Sequence, residues 1–349
     1  MRVLVTGANG FLGRAVVHAF LSRGHKVRAL VRPSRREGNA GLPGEVEIWP
    51  GDLRVQPDLH RAFEDVDVLI HLAAVVLGDD ATHFASTIGG TERLLEGMKL
   101  SKTRRVILAS SMSVYGWPES SRTLDEDTPP PNPIYEAGAY AVSKIWQERI
   151  TRRMSKAHDW DLTVLRPGVV WGPTNASLGF VGPSVKRIQF VIGPGRLLPL
   201  TFVDNCADVF AKCAEDCRAV GQTFNVVDGH RVSAWRYASE ISRRSGTSIR
   251  RIPVPYLAAR MNAWLADSCR KILFKSGGKL PGLLRPRQLA YMRPLRFSNR
   301  KLVETLAWKP PIDFETALQR TFERDTERSK SPGTLQENCS RSNASGQQQ

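Results

Sequence analysis

Two side chains capable of acid–base chemistry stand four residues apart. Tyr140 and Lys144 form a YxxxK pair within the predicted helix Ala139–His158, so one helical turn places them on the same face. A free tyrosine has a pKa of ~10, and a nearby ammonium group favours the phenolate. We therefore predict that Lys144 lowers the pKa of Tyr140 and that Tyr140 transfers a proton at neutral pH. Tyr135 has no lysine four residues further on, which singles out Tyr140.

A group of hydroxyl side chains follows the predicted strand Arg105–Ala109. This group, Ser110 to Ser113, stands where an α/β sheet opens into its ligand crevice. A hydroxyl there can hold a substrate oxygen while a tyrosine moves the proton. The alternative is that these serines only cap the segment that follows the strand.

The chain opens with a strand, a glycine-rich turn and a helix. In VLVTGANGFLG, Gly7 permits a tight turn, Gly10 admits a pyrophosphate and Gly13 allows close helix–strand packing. The amides at the start of the helix and its dipole attract phosphates. This context predicts a dinucleotide site that includes Asn9, Phe11 and Leu12. The alternative is a purely structural turn.

The end of the second strand indicates which dinucleotide binds. NAD-binding sites usually have an acidic residue there for the ribose 2′-hydroxyl. Here Lys26–Val31 ends in Arg32, and no acid precedes Glu37. Three more arginines lie nearby, namely Arg28, Arg35 and Arg36. Because guanidinium groups suit a 2′-phosphate, NADP(H) is predicted, with NAD as the alternative.

The elements of the first half alternate between strands and helices. This order predicts an α/β, Rossmann-type doubly wound parallel sheet. The predicted strands are Arg2–Val5, Lys26–Val31, Val46–Trp49, Val68–Leu72, Arg105–Ala109 and Leu162–Leu165. The predicted helices are Gly13–Arg23, Pro57–Glu64, Thr91–Leu100 and Ala139–His158.

After Arg166 the alternation of strands and helices gives way to loops rich in Gly and Pro and to short strands, which predicts a smaller substrate lobe. We predict a dinucleotide-binding domain over 1–166 and a substrate lobe over 167–322 that returns elements to the sheet, including a helix near Ala207–Cys217 and a strand at Thr223–Val227. The remainder, 323–349, is polar and is predicted to be disordered.

Composition narrows the classes of protein. The 349 residues are 41% hydrophobic and 24% charged, as in a globular enzyme. The chain has no apolar leader and no uninterrupted apolar span, so a cytoplasmic location is expected. The five cysteines form no CxxC pair, and no metal site is predicted.

The charge is uneven. The net charge is +16, and residues 243–309 contain 16 Lys or Arg against two acids. Within this region, 256–275 has apolar residues at helical spacing with basic residues elsewhere on the wheel, which predicts peripheral contact with an anionic membrane. The alternatives are a solvated helix of the substrate lobe and, for the basic lobe as a whole, contact with RNA or another partner in a non-catalytic dinucleotide-binding protein. The intact Ser111, Tyr140 and Lys144 set disfavours that last possibility.

Several motifs together resemble the extended short-chain dehydrogenase/reductases of the NAD-dependent epimerase/dehydratase type. The resemblance runs from Met1 to about Phe322 and includes TGANGFLG, GDL, HLAA, SSMSVYG, YAVSK, LRPGVVWGP, FVDNCAD, FNVVDG and LAWKP. It implies that Ser111 is the catalytic hydroxyl, that Tyr140 is the acid/base, and that Lys144 activates Tyr140 and binds the ribose. Asp52 and Leu53 would flank the adenine, Ala73 would lie beside the cofactor, and Pro167 and Val169 would lie near the nicotinamide. The family usually has an asparagine at the position of Thr87, which puts its proton relay in question.

The substrate class follows from a second comparison within the family. Nucleotide-sugar enzymes commonly have an Arg-Asp pair just before the strand that here reads LPLTFVDN. This chain has Leu198-Pro199-Leu200-Thr201 there, although Lys186, Arg187 or Arg196 could replace the arginine. The stretch VRALVRP is similar to members that resemble dihydroflavonol reductases and 3β-hydroxysteroid dehydrogenases. We therefore expect an oxidoreductase for apolar small molecules, with a nucleotide-sugar epimerase, dehydratase or reductase as the alternative. The resemblance also implies a homodimer formed through the Tyr140 helix.

Overall fold

The computed structural model describes residues 1–33, 42–118, 123–246, 248–273 and 289–329. Arg35 and Arg36 lie outside the described residues. The strands are β1 (Arg2–Thr6), β2 (Lys26–Val31), β3 (Glu47–Pro50), β4 (Val68–His71), β5 (Arg105–Ala109), β6 (Thr123–Leu124), β7 (Asp161–Pro167), β8 (Val169–Trp171), β9 (Ser184–Val185), β10 (Ile188–Ile192), β11 (Leu200–Phe202), β12 (Thr223–Val226), β13 (Arg250–Val254) and β14 (Arg296–Phe297). The helices are α1 (Phe11–Leu21), α2 (Asp80–His83), α3 (Gly90–Lys99), α4 (Ala139–His158), α5 (Val203–Glu215), α6 (Ala234–Arg244), α7 (Tyr256–Leu273), α8 (Arg300–Leu306) and α9 (Phe314–Ser329).

The fold is built on a seven-stranded parallel sheet. Its order is β12-β7-β5-β4-β1-β2-β3, and every adjacent pair is parallel. The central strands are apolar and buried, as parallel strands covered on both faces must be. The predicted doubly wound sheet is confirmed, and β12 is the element that the second half returns to it.

Helices cover both faces of the sheet. On one face, α1 and α5 bury Val16, Phe20 and Phe210 against β1 and β5. On the other, α3 and α4 bury Leu94 and Met154 against the same strands. The strands therefore end together at one edge, where their carboxyl ends form a crevice between the two helical layers.

The second half is attached to the sheet by buried polar contacts. Asn205 of α5 donates to the carbonyl of Ile312 at 2.8 Å and accepts from its amide at 3.0 Å. Asp208 of the same helix accepts from Trp308 Nε1 at 2.8 Å and pairs with Arg23, which follows α1. The motifs FVDNCAD and LAWKP thus connect the carboxyl-terminal segment to the sheet domain.

Several boundaries differ from the prediction. Residues 57–64 do not form an α-helix but a 3₁₀ turn at Leu59–Phe63, which is followed by Asp65 in the left-handed region (φ 56°) before the chain enters β4. A π-helical segment at Phe84–Gly89 precedes α3 and was not anticipated. The boundary at 323 falls inside α9, where Gln319 donates to Glu323 at 2.6 Å one turn further on; residues 330–349 lie outside the described residues.

Candidate active site

A cavity of about 620 Å³ lies at the carboxyl edge of the sheet. The turn after β1, the ends of β2, β4, β5 and β7, and the first turn of α4 contribute to it. Its lining contains all but one of the predicted site residues, namely Gly7, Asn9, Gly10, Phe11, Leu12, Gly13, Arg32, Asp52, Leu53, Ala73, Ser111, Tyr140, Lys144 and Pro167.

Val169 is the exception. It begins β8, its amide donates to the carbonyl of Pro199 at 2.6 Å, and its side chain packs in the substrate-lobe core. A Cβ on Gly168 would lie 2.1 Å from that same carbonyl, so the backbone passes very close to β11. This close contact fixes the orientation of β8, so that Gly168 and Val170 line the cavity and Val169 does not.

The glycine turn has the shape needed for a dinucleotide. Gly7 has φ +72°, and a Cβ on Gly13 would lie 2.1 Å from the carbonyl oxygen of Gly7. The first helical bond of α1 runs from the Arg14 amide to the Gly10 carbonyl, so the preceding amides at the helix start lack helical acceptors. Asn9 Oδ1, which lines the cavity, is buried and has no hydrogen-bond partner within the described structure. These residues fit the phosphates and a polar group of a bound dinucleotide.

Ser111 and Tyr140 meet in the cavity. Ser111 Oγ accepts from the Ser113 amide at 3.1 Å and so caps the 3₁₀ turn Met112–Tyr115. Its hydroxyl also lies beside Tyr140 in the cavity lining and lowers the pKa of that phenol. Ser111 therefore caps this turn, as one of the two alternatives predicted, and it also lines the cavity.

The structure gives Tyr140 a raised pKa, whereas a lowered pKa was predicted. Burial raises the pKa of Tyr140, and the Ser111 hydroxyl lowers it in part. The prediction of a lowered pKa is therefore wrong, because burial dominates. Lys144 Nζ donates to the carbonyl of Ala109 at 2.7 Å and to Gln147 Oε1 at 2.9 Å.

Lys144 is itself only 2% exposed. Burial lowers its pKa to about 7, an effect that the carboxylate of Glu148 opposes. Glu148 lies on the next turn of α4 and is held at 2.8 Å by Arg166. Near neutral pH the lysine therefore exists in both protonation states, and nearby negative charge favours the ammonium form.

The end of the cavity formed by β2 and β3 is basic. Arg32 is exposed there, as predicted, and Asp52 accepts from Arg54 at 2.7 and 3.0 Å. The hydrogen bond with Arg54 is the main cause of the lowered pKa of Asp52, and Arg32 contributes. Sequence reasoning missed Arg54, although its position in GDLR, directly after β3, was a usable signal.

Sequence reasoning also missed residues at the open end of the cavity. Val75, Val76 and Ser86 line it from the segment after β4, and Asn175 lines it from the loop after β8. The amide of Val75 donates to Thr87 Oγ1 at 3.0 Å, so the residue that replaces the expected asparagine fixes this segment. No local pattern marks these residues, because they meet only in the folded chain.

A parallel sheet with a glycine turn and a tyrosine–lysine pair at one edge defines a dinucleotide-dependent enzyme of the extended short-chain dehydrogenase/reductase type. The family model "NAD dependent epimerase/dehydratase family" matches residues 3–226. The chain belongs to this family.

Relatives within the family differ in the reaction they catalyse. A UDP-glucose 4-epimerase from Mycolicibacterium smegmatis is 28% identical over 93% of this chain and 98% of its own. A 3 beta-hydroxysteroid dehydrogenase/Delta 5-->4-isomerase from Mycobacterium tuberculosis is 26% identical over 91% of this chain and 88% of its own. The crystal structure of a UDP-glucuronic acid 4-epimerase from Bacillus cereus, in complex with UDP-glucuronic acid and NAD, shares the fold with a TM-score of 0.69 at 22% identity, covering 94% of this chain and 100% of that chain. The protein is therefore an NAD(P)-binding enzyme, and its reaction and substrate must be argued from its own site.

Proposed function

We propose that the protein is an NADP(H)-dependent oxidoreductase that interconverts a ketone and a secondary alcohol on an apolar small molecule. The observation that carries this proposal is that Tyr140 and Ser111 line the same cavity as the Gly7–Gly13 turn, where the Ser111 hydroxyl acts on the pKa of Tyr140. A phenol and a hydroxyl placed together can bind one substrate oxygen and exchange its proton.

Each residue has a role that follows from its contacts. The turn Gly7–Gly13 and Lys144 would hold the dinucleotide, whose nicotinamide supplies or accepts the hydride at the substrate carbon. Ser111 holds the substrate oxygen and Tyr140 gives it a proton in reduction, for which the raised pKa of Tyr140 keeps the phenol protonated. In oxidation, Tyr140 takes that proton back, and a protonated Lys144 stabilises the phenolate.

The surroundings of the cavity support an apolar substrate. Val76 lines the cavity and is 66% exposed, while the neighbouring Leu77 and Phe84 are 89% and 66% exposed. Exposed side chains of this kind mark a surface that contacts apolar molecules. A sterol-, isoprenoid- or flavonoid-like ketone suits this opening.

A nucleotide-sugar substrate is the second candidate, and one observation favours it. Arg231 and Arg296 line a groove of about 200 Å³ together with Leu198 and Pro199, at the positions where relatives commonly have Arg-Asp. Against it, Leu198 is 4% exposed within the core, and Arg196 is committed to the carbonyls of Ile192 and Phe180. Arg231 and Arg296 could thus bind a diphosphate, but the position of the usual Arg-Asp pair holds a buried leucine, and Arg196 is not available to replace its arginine.

The proposal is tested by substrate turnover. Purified protein is mixed with NADPH or NADH and with sterol-like, flavonoid-like, isoprenoid and UDP-sugar ketones, while cofactor fluorescence is followed. We expect NADPH oxidation with one apolar class, and a Ser111→Ala variant that loses most of it. Turnover of a UDP-sugar, detected as epimerised product without net cofactor oxidation, would replace the proposal by its alternative.

We further propose that α7 contacts an anionic membrane surface and so brings the enzyme to an apolar substrate. Leu257, Met261, Trp264 and Leu265 are 69%, 65%, 67% and 51% exposed, whereas Ala259 and Ala263 face the core. The helix thus has its large apolar side chains on the outer side, in a region rich in Lys and Arg. The side chains of 266–273 and residues 274 and 275 lie outside the described residues. Among the residues that are described, no helix is both long and apolar enough to cross a membrane.

Vesicle sedimentation tests this contact. We expect binding to vesicles with about 30% anionic lipid at low salt and weaker binding at high salt. A Met261→Gln/Trp264→Gln variant should lose this binding. Leu100→Gln, which removes a 73% exposed leucine directly after α3 and outside α7, is the control. Equal sedimentation with neutral and anionic vesicles, or none with either, would contradict the proposal.

We also propose a cytoplasmic homodimer formed through α4. The 41% exposure of Trp146, an apolar side chain on this helix, supports that interface.

A further inference from the structure

A buried polar network lies beside Lys144, and its central residue, Gln147, is not part of the cavity lining. Gln147 is fully buried one turn after the lysine, and its side chain contacts residues of β4, α3 and the segment after β4. Gln147 Oε1 accepts from Lys144 Nζ at 2.9 Å. The amide nitrogen, Nε2, lies 2.9 Å from Thr91 Oγ1 and 3.3 Å from the carbonyl oxygen of Ala73.

The partners of Thr91 fix the direction of each hydrogen bond. The Thr91 hydroxyl donates to the carbonyl of Thr87 at 2.5 Å, so its single hydrogen is used. Thr91 Oγ1 must therefore accept from Gln147 Nε2 and from His71 Nε2, which lies 2.9 Å away. His71 then carries its proton on Nε2, and its Nδ1 accepts from Thr6 Oγ1 at 2.7 Å.

These constraints fix the orientation of the Gln147 amide. Both groups behind it, Thr91 Oγ1 and the Ala73 carbonyl, can only accept, so the amide nitrogen must face them and the oxygen must face Lys144. The 3.1 Å approach of Gln147 Nε2 to His71 Nε2 is then a contact between two donors rather than a bond. A flipped amide would leave two acceptors facing an oxygen in a site without water access, which is costly.

We propose that Gln147 is a positioning residue that holds the Lys144 ammonium in place and in its charged form, with its own amide oriented by Thr91 and Ala73. This inference rests on the proposed function, because Lys144 matters to catalysis only if Tyr140 transfers a proton. Gln147 does not line the cavity and acts only through the lysine. Removal of its oxygen leaves Lys144 Nζ with the Ala109 carbonyl as its remaining hydrogen-bond acceptor among the described contacts.

The charged and titratable groups around Lys144 do not by themselves stabilise its ammonium form fully. Glu148 attracts the ammonium, but its carboxylate is shared with Arg166 and Arg152. His71 is buried beside the lysine, and its pKa is lowered to about 3 by burial and then by the charge of Lys144, so it stays neutral. Tyr140 is protonated near pH 7. A neutral acceptor that faces the ammonium directly is therefore an important stabiliser of the charged form.

The test compares two matched glutamine variants. Gln147→Met keeps the volume and removes the oxygen that accepts from Lys144. Gln189→Met is the control, because Gln189 is also fully buried and bonded to backbone carbonyls but lines no cavity near Lys144. A hydrogen bond to a charged group contributes about 1.5–3 kcal/mol, so its loss corresponds to a shift of about 1–2 pKa units.

The first measurement is the NMR titration of the Lys144 side chain in the cofactor-free protein, assigned by its absence in Lys144→Arg. We expect the pKa of Lys144 to fall by about one unit or more in Gln147→Met and to stay unchanged in Gln189→Met. Gln147→Glu, which keeps an acceptor at this position, should restore or raise the value. An unchanged pKa in Gln147→Met would overturn the proposal, whatever the enzyme's substrate.

The second measurement is the pH profile of the active enzyme. In Gln147→Met we expect kcat for alcohol oxidation to fall about tenfold, with nearly unchanged KM for the cofactor, while Gln189→Met alters only the melting temperature. If the wild-type protein turns over no ketone or alcohol, the proposed function fails, but the NMR titration still decides the role of Gln147. If turnover is present and the Gln147→Met profile matches that of wild type, the positioning role is wrong and the proposed function stands.

Discussion

Replacement of Tyr140 by phenylalanine is expected to lower kcat about 100- to 10,000-fold, which is the usual contribution of a positioned general acid or base. The side chain loses only its phenol oxygen, which lies in the cavity with Ser111, and otherwise keeps its ring in place. Because the change removes the proton donor and not the Gly7–Gly13 turn, the Kd for the dinucleotide should change little. Stopped-flow turnover and fluorescence titration of the cofactor measure the two quantities separately.

Tyr135→Phe is the matched control for this prediction. Tyr135 is 70% exposed and lies outside the cavity lining, so the same loss of a phenol oxygen should leave kcat unchanged. In wild type, burial raises the pKa of Tyr140, so the phenol should stay protonated through neutrality and should not limit ketone reduction there. A change of rate near pH 7 should instead follow Lys144, whose pKa burial lowers to about 7. A Tyr140→Phe enzyme with a wild-type kcat would show that another group supplies the proton.

Local patterns in the sequence determined the scaffold and most of the site. The bounds of β2, β5 and α4 match the prediction, because each is a continuous apolar or amphipathic segment with clear end residues. The glycine turn, the serine after β5 and the YxxxK pair are each defined within a few residues of chain. Since parallel strands all end at one edge, their meeting in one cavity follows from the sheet itself.

Other properties of the site depend on contacts between distant segments. The pKa of Tyr140 was expected to be lowered by Lys144, but burial dominates, and burial depends on packing that spacing does not reveal. The partner of Lys144 is Gln147, only three residues away, yet the orientation of that amide is set by Thr91 and Ala73 from other elements. The displacement of Val169 from the cavity likewise follows from the contact of Gly168 with Pro199, over 30 residues further along the chain.

The proposed preference for NADP(H) rests on two arginines that differ in how they are paired. Arg54 forms a two-bond pair with Asp52, which neutralises much of its charge. Arg32 follows β2 directly, is exposed at the cavity, and has no ion-pair partner among the described residues. Its guanidinium is therefore the group best able to bind a 2′-phosphate, while Arg54 prevents the Asp52 carboxylate from repelling it.

Replacement of Arg32 by alanine is accordingly expected to raise KM for NADPH about 10- to 100-fold, since a hydrogen bond to a charged group contributes about 1.5–3 kcal/mol. KM for NADH should change less than about threefold, because NADH lacks the 2′-phosphate. Arg32→Asp should go further and reverse the preference, since a carboxylate at this position accepts from the ribose 2′-hydroxyl and repels a phosphate. Steady-state kinetics with both cofactors measure these ratios.

Arg54→Ala and Arg218→Ala form a matched pair that tests the charge argument. Arg218 binds Asp216 in the same Asp-x-Arg arrangement, at 2.6 and 3.0 Å, but lies outside the cavity. Loss of Arg54 leaves the Asp52 carboxylate unpaired beside the cofactor and should weaken NADPH binding more than NADH binding, whereas loss of Arg218 should affect neither. Equal KM values for the two cofactors in wild type, unchanged in Arg32→Ala, would mean that this end of the cavity does not select between the dinucleotides and that the exposed guanidinium is only solvated.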